Sequence, residues 1–247
     1  MNALRLERDG QVLRMTMARP ERRNAFDAAL IHELTLAFAD VGDARAVVLA
    51  GDGPSFSAGA DVEWMRSSID LTYEQNVEDA LRLRAMLRAI EQCPAPVLVR
   101  VHGHALGGGC GLVAAADIAV AAPDAVFAFS EVKLGIIPAV ISPYALGKIG
   151  PGPARRYFAT GERFSAETAL RIGLVHEVAD DLDVAVGRIV GELLTAGPEA
   201  VRNAKRLVLE RPDGEDTAHR IAARRTSAEG QEGLRAFLER RSPYWAP

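Results

Sequence analysis

The chain of 247 residues predicts an α/β core followed by a helical region. Two observations carry that expectation: apolar strand-like and helix-like segments alternate through the first half, and from Gly152 onward nearly every segment has helical periodicity. The length is long for one ordinary domain and short for two, which suits a single core with a smaller helical appendage.

Gln11 to Met17 alternates as a short strand, and Arg45 to Ala50 reads as a buried strand ended by Gly51-Asp52-Gly53-Pro54. Between them Leu30, Leu34, Phe38 and Val41 recur at helical spacing behind Asp27, a side chain suited to accept from the first free amides of a helix. A longer helix is expected from Tyr73 to Gln92, with Leu83, Met86, Leu87 and Ile90 as its apolar stripe and Pro94 as its stop. Pro96 to His102 is an apolar strand running into the turn Gly103 to Gly109, after which Cys110 to Ala116 is helical. Ile118 to Ala121 and Val126 to Phe129 are two further strands around Pro123-Asp124. Beyond them, helices are expected over Ala154 to Thr160, Ser165 to Ile172, Asp181 to Thr195, Pro198 to Glu210 and Thr217 to Arg240, with one strand at Leu174 to Val178.

The composition narrows the function classes. A formal net charge of −4 and a pI near 5.8 offer no field for gathering nucleic-acid phosphates, so no nucleic-acid partner is expected. The weakly polar stretch from Ala105 to Phe129 is interrupted by Asp117, Pro123 and Asp124 and is too rich in Ala and Gly to span a bilayer, so no membrane association is expected. Arg5, Glu7, Arg8 and Asp9 stand where a signal peptide would be basic and then apolar, so a cytoplasmic location is expected. Cys93 and Cys110 have no spacing that suggests a disulfide framework or a zinc site, and the five histidines have no metal-binding spacing. His104, beside the glycine run, is read as a turn or core histidine in preference to a pocket residue.

Three segments carry the chemistry: Phe56-Ser57-Ala58-Gly59-Ala60-Asp61, Gly107-Gly108-Gly109-Cys110-Gly111, and Phe129-Ser130-Glu131 continuing to Gly135-Ile136-Ile137-Pro138. Small residues after a strand let a ligand approach the backbone and leave amides free to point at it. Gly108 falls at a helix N-terminus, where unpaired N–H groups and the helix dipole favour negative charge. Two such amides, one from each glycine-rich turn, would form an oxyanion hole. The run lacks a third glycine at Leu112 and so fails the dinucleotide fingerprint, and no phosphate loop occurs elsewhere. Glu131 is flanked by Val126, Phe127 and Phe129 on one side and Val132, Leu134 and Ile136 on the other, so its carboxyl is expected to be desolvated and its pKa raised. From the residue alone, an edge carboxylate paired with Lys133 or an arginine is an equal alternative.

Taken together, these segments resemble the enoyl-CoA hydratase/isomerase (crotonase) family over about Arg19 to Arg241. The resemblance is carried also by Arg19-Pro20-Glu21-Arg22-Arg23-Asn24-Ala25, Ala116-Asp117-Ile118, Ala169-Leu170-Arg171-Ile172-Gly173-Leu174-Val175 and Glu232-Gly233-Leu234-Arg235-Ala236-Phe237-Leu238. It implies a crotonase-like (ClpP/crotonase) spiral of ββα units over residues 1–190, a C-terminal helical trimerisation region over 191–247, and assembly as a homotrimer or dimer of trimers. It implies that Ala60 and Gly108 donate the oxyanion-hole amides, that Glu131 is the catalytic carboxylate, and that Arg23, Ala25, Ala58, Asp61 and Val62 hold coenzyme A. Leu106, Gly107, Gly111, Ser130, Ile136 and Pro138 lie in the same motifs and are expected around the substrate. Coenzyme A would arrive as part of an acyl-CoA thioester, with no separate cofactor and no metal.

Family hydratases usually carry a second glutamate where this chain has Gly111. Hydration moves one proton from water and another to the α-carbon, so that gap leaves both tasks to Glu131 or to a relaying water. Pro138-Ala139-Val140-Ile141-Ser142-Pro143-Tyr144, read with Gly111, looks like bacterial hydratases of branched or 3-methylglutaconyl-type enoyl-CoA. The reading is therefore an enoyl-CoA hydratase, with a single-glutamate enoyl-CoA isomerase and a noncatalytic acyl-CoA-binding protein as alternatives. Trp64, Met65, Met86, Ile136 and Tyr144 are expected to shape the acyl pocket.

Overall fold

The computed structural model describes residues 3–246. Two strands open the chain as a hairpin, β1 (Leu4–Asp9) and β2 (Val12–Met17), joined through Gly10. Helix α1 (Ala28–Ala39) follows, with the Asp27 carboxylate accepting from the Leu30 amide at 2.9 Å. Then come β3 (Ala46–Gly51), the short helix α2 (Val62–Ser67) and the long helix α3 (Tyr73–Glu91), opened by a reciprocal Thr72–Gln75 cap. The middle of the chain contains β4 (Val97–Val101), β5 (His104–Leu106), α4 (Gly108–Ala115), β6 (Ile118–Ala121) and β7 (Val126–Ala128). Helices α5 (Ser142–Ile149) and α6 (Pro151–Thr160) lead to β8 (Phe164–Ser165), α7 (Ala166–Arg171) and β9 (Glu177–Val178). Four helices close the chain: α8 (Leu182–Thr195), α9 (Pro198–Glu210), α10 (Gly214–Thr226) and α11 (Ala228–Leu238).

The strands form a six-stranded sheet in the order β1-β2-β3-β4-β6-β9 and a three-stranded sheet in the order β5-β7-β8. From β2 to β9 the large sheet is parallel. Successive strands alternate between the sheets: β4 then β5 then α4, and next β6 then β7 then the helices α5 and α6. Each circuit thus leaves one strand in each sheet before a helix, which is the expected spiral of ββα units. The turn after β3 joins the same pattern through a bridge from Ser57 to Ala105 of β5.

Parallel strands buried on both faces read as unbroken apolar runs, and the two faces of β3 show why. Val47 and Leu49 enter the main core with Phe26, Leu34, Met86, Leu87 and Phe127, whereas Ala46 and Val48 face the other way. That second face, with Leu98 and Val120, is covered by Leu182, Ala185, Val186 and Val190 of α8. Residue 190, the expected end of the core, therefore lies within a helix packed against the large sheet. No helix among the described residues is long and apolar enough to cross a membrane.

Several expected elements are corrected. His104 to Leu106, read as part of a glycine turn, is a strand of the second sheet. The strand at Leu174 to Val178 shrinks to its last two residues, and the single helix expected over Thr217 to Arg240 is two, broken where Ser227 accepts from the Gly230 amide.

Candidate active site

The first glycine-rich turn, between β3 and α2, is held by buried polar groups. Asn24, fully buried with φ of 51°, accepts from the Arg19 amide and donates to the carbonyls of Asp52 and Ser55, both at 2.8 Å. The Arg19 guanidinium donates to Ala25 O at 2.6 Å and pairs with Asp27 at 3.0 Å and Asp61 at 3.2 Å. Asp61 is buried and also accepts from the Glu63 amide, so it caps α2. These contacts fix the turn from both ends.

Within that turn the Gly59 amide donates to Ser57 Oγ and the Asp61 amide to Phe26 O. Ala60 lies between them, and among the described residues its amide has no acceptor. The second turn repeats the arrangement: Leu106 N–H donates to Ser57 O and Gly107 N–H to Ala128 O, while Gly108 N–H, at the start of α4, has no acceptor among the described residues. The turns touch, since a Cβ built on Gly59 would lie 2.5 Å from Leu106 O and 3.5 Å from Gly108 N. Gly107 has φ of 51° and ψ of −119°, a backbone state that a side chain disfavours. At Gly108 the constraint is space, because a Cβ there would stand 2.3 Å from the Phe26 ring.

Glu131 begins a short 3-10 turn after β7 that closes on Gly135. Its Oε1 lies 3.4 Å from where a Gly107 Cβ would be, and its Oε2 is buried without a hydrogen-bond partner. Burial raises the Glu131 pKa above the ordinary carboxyl value, and its own backbone N–H only partly offsets this. The pairing with Lys133 or an arginine, left open by the sequence, does not occur among the described residues, and Lys133 is exposed.

Ala60, Gly108 and Glu131 border one cavity of about 340 Å³. Phe26, Trp64, Met65, Leu83, Ile136, Ile137, Pro138, Val140 and Ile141 supply most of its wall, with Ser68, Asn76 and Asp79 as polar points. Ile136 and Pro138, two of the residues expected around the substrate, thus border this cavity. A Cβ built on Gly107 would lie 3.4 Å from Glu131 Oε1 and 3.6 Å from Ser130 Oγ, while Leu106 contributes its carbonyl to the contact with Gly59. Arg23, Ala25, Ala58, Asp61 and Val62 lie outside the cavity wall: Ala25 and Asp61 are buried in the supporting turn, Ala58 N–H donates to Arg23 O, and Arg23 and Val62 are exposed.

Position 111 does not border the cavity. Its outward space is taken by Ile141, whose Cγ2 would lie 2.5 Å from a Cβ on Gly111, with Leu87 Cδ1 at 3.6 Å. Two expected pocket residues are also corrected. Met86 is wholly buried in the core beneath α3, and Tyr144 borders a different depression beside Lys148. His104, in β5, meets Ser55 Oγ at 3.2 Å and does not border the cavity, so it is a satisfied strand histidine and not a pocket residue. Both cysteines are free and buried; Cys110 Sγ donates to Ala105 O at 3.0 Å, and burial pushes both thiols up.

Sequence reasoning missed Arg19 and Asn24 as builders of the first turn, although both lie in a segment that carried the resemblance. It also missed the cavity face of α3, where Asn76 and Asp79 precede the apolar stripe that marked the helix.

The family model for Enoyl-CoA hydratase/isomerase matches residues 7–247. The crotonyl-CoA hydratase of Syntrophomonas wolfei is 34% identical over 249 residues, covering 96% of this chain and 95% of that protein. The cyclohexa-1,5-dienecarbonyl-CoA hydratase of Thauera aromatica is 31% identical over 252 residues, covering 97% and 95%. Among solved structures, an enoyl-CoA hydratase from Shewanella pealeana superposes with a TM-score of 0.93 at 40% identity, covering 98% of this chain and 96% of that one.

Proposed function

Because the chain belongs to the enoyl-CoA hydratase/isomerase family, we propose that it hydrates an enoyl-CoA, holding the thioester oxygen on the amides of Ala60 and Gly108 while Glu131 serves the α-carbon. The supporting observation is the convergence of those two acceptor-free amides and one desolvated carboxyl on a single apolar cavity.

The chemistry follows from that placement. Addition of water at C3 pushes the π electrons toward the thioester carbonyl, where negative charge collects. Amides already fixed by their neighbours stabilise that charge without reorganising, and one such donor is worth about 3 kcal/mol of barrier. A Glu131 carboxyl whose pKa is raised retains its proton more readily and can deliver it to C2. The apolar wall around Trp64, Leu83 and Ile141 suits the acyl chain, and the reaction needs no cofactor beyond the coenzyme A of its substrate.

Arg23, Ala25, Ala58, Asp61 and Val62, in and beside the first turn, belong to this reading as the coenzyme A contacts, with Arg23 and Val62 its exposed members. A homotrimer or dimer of trimers in the cytoplasm belongs to it too, and exposed apolar side chains on α11 support the assembly, with Phe237 at 81% and Leu238 at 78% exposure. A branched or 3-methylglutaconyl-type acyl group is the substrate class we favour, on the strength of the Pro138–Tyr144 segment.

Glu131→Gln tests the central role. It is expected to lower hydration by roughly 10³-fold, followed as loss of the conjugated thioester absorbance, while acyl-CoA affinity stays near that of the parent. Full turnover in that variant would remove Glu131 from the mechanism. The packing of Ile141 into the space beside Gly111 favours one alternative, a single-base isomerase that removes a proton from C2 and returns it at C4. Double-bond migration without incorporation of labelled water oxygen would establish it, and binding without either reaction would establish a noncatalytic acyl-CoA-binding protein.

A further inference from the structure

Hydration moves a proton off water as well as one onto C2, and position 111 supplies no group for the first task. Its place is occupied by the Ile141 side chain, 2.5 Å from a Cβ built on Gly111, so no acid enters from α4 without displacing that residue. The cavity nevertheless has a second acid. Of the side chains that border it, only Glu131 and Asp79 are titratable among the described residues, and they come from different walls: Glu131 from the turn after β7, Asp79 from α3.

The placement of Asp79 follows from helical periodicity. Asn76, Asp79, Ala80 and Leu83 are spaced i, i+3, i+4 and i+7, so they share the face of α3 turned to the cavity. The neighbouring acid Glu78 lies on another face with its side chain 69% exposed, against 16% for Asp79. The one charged contact of Asp79 among the described residues is Arg82 Nη1 at 3.6 Å, a loose helical pair whose arginine is itself 61% exposed. No N–H or O–H among the described residues donates a hydrogen bond to the Asp79 carboxylate, which leaves its oxygens free to accept from a water in the cavity. Asn76, one turn earlier, spends its NH₂ on Leu71 O and Thr72 O and so holds the start of this face in place.

We propose that Asp79 is the general base that activates the attacking water, working across the cavity from Glu131. The proposal rests on the hydratase reading. The water oxygen bonds to C3 as one of its O–H bonds breaks and that proton passes to an Asp79 oxygen. The π pair of C2=C3 moves toward the thioester oxygen, and the enolate then takes the Glu131 proton at C2. Asp79 releases its proton to solvent and Glu131 regains one, so each cycle consumes one water and leaves both carboxyls as they began.

The test compares the intact protein with Asp79→Asn and Asp79→Glu on a four-carbon enoyl-CoA. It also follows exchange of the α-protons of the saturated four-carbon acyl-CoA into deuterated water, which needs the oxyanion hole and Glu131 but no attacking water. Asp79→Asn is expected to slow hydration by roughly 10²-fold or more while α-proton exchange stays within about threefold, and Asp79→Glu to recover part of the hydration rate. Equal hydration by Asp79→Asn and the parent overturns the proposal, as does an equal fall in both reactions, which would mark Asp79 as a structural support. A parent protein that exchanges α-protons but hydrates none of a panel of enoyl-CoAs overturns the hydratase reading itself.

Discussion

Glu131 brings its carboxyl into an apolar pocket without an ion pair, and that placement has a thermodynamic sign. Its folded pKa is raised by burial, so its contribution to stability is fully present below the unfolded carboxyl pKa and is lost as pH rises through the raised folded value. Above the ordinary carboxyl range, ionisation at this position therefore works against the fold. Glu131→Gln is therefore expected to melt at a higher temperature than the parent at pH 7, with the advantage shrinking as the solution is acidified into the ordinary carboxyl range; thermal unfolding over a pH series measures it. An equal or lower Tm for the variant at pH 7 would mean that the carboxyl is solvated. Glu131 was legible in the sequence because apolar residues flank it on both sides. Asp79 was not, because its neighbours in sequence are Glu78 and Ala80 and nothing local distinguishes it from the exposed acids of the same helix.

The strand, glycine turn and helix succession was the most legible feature among the elements, because a buried parallel strand and a small-residue turn leave strong local marks. β1 was not legible: only Leu4 is buried along it, so an edge strand of mostly charged residues lacks the alternation that would reveal it. The break between α10 and α11 carries a Ser227 cap but no proline, and its glycine, Gly230, lies already inside the next helix. That helix also supplies Glu229, which accepts from the Glu199 and Ala200 amides and so caps α9 from thirty residues away, a contact no local pattern announces. Asp27 shows the opposite case, a cap read correctly from its position. Asp27→Ala would leave the Leu30 amide without its acceptor and remove one of the two acids that pair with Arg19. A loss of about 1 kcal/mol, or about 2–4 °C in Tm for a chain of this size, is expected in thermal unfolding.

Across the whole molecule, Arg45 joins the large sheet to the end of the chain. It stands just before β3, buried, and its guanidinium donates to Gln11 Oε1 at 3.0 Å, Trp245 O at 2.8 Å, Leu194 O at 2.8 Å and Ala196 O at 2.6 Å. The sequence presented it as the first residue of a strand. Its partners lie up to 200 positions away, so its role emerges only from the fold. Burial lowers its pKa, yet the carbonyls around it would be left without donors if it were removed. Arg45→Ala is expected to cost about 2–4 kcal/mol, read as a lower denaturant midpoint, with α8 and the chain end losing amide-exchange protection together.

The groups that hold the thioester oxygen in our reading belong to the main chain, so they have no codon of their own. Truncating the side chain at 60 leaves its N–H in place, and position 108 has nothing to truncate. Apart from proline, which removes the N–H itself, mutation reaches either donor by bending the peptide that bears it, for example by forcing a methyl group at 108 against the Phe26 ring. A library of point variants should thus find this grip tolerant of truncation at 60, intolerant of any side chain at 108, and sensitive at the residues that brace it, Phe26, Asn24 and Arg19.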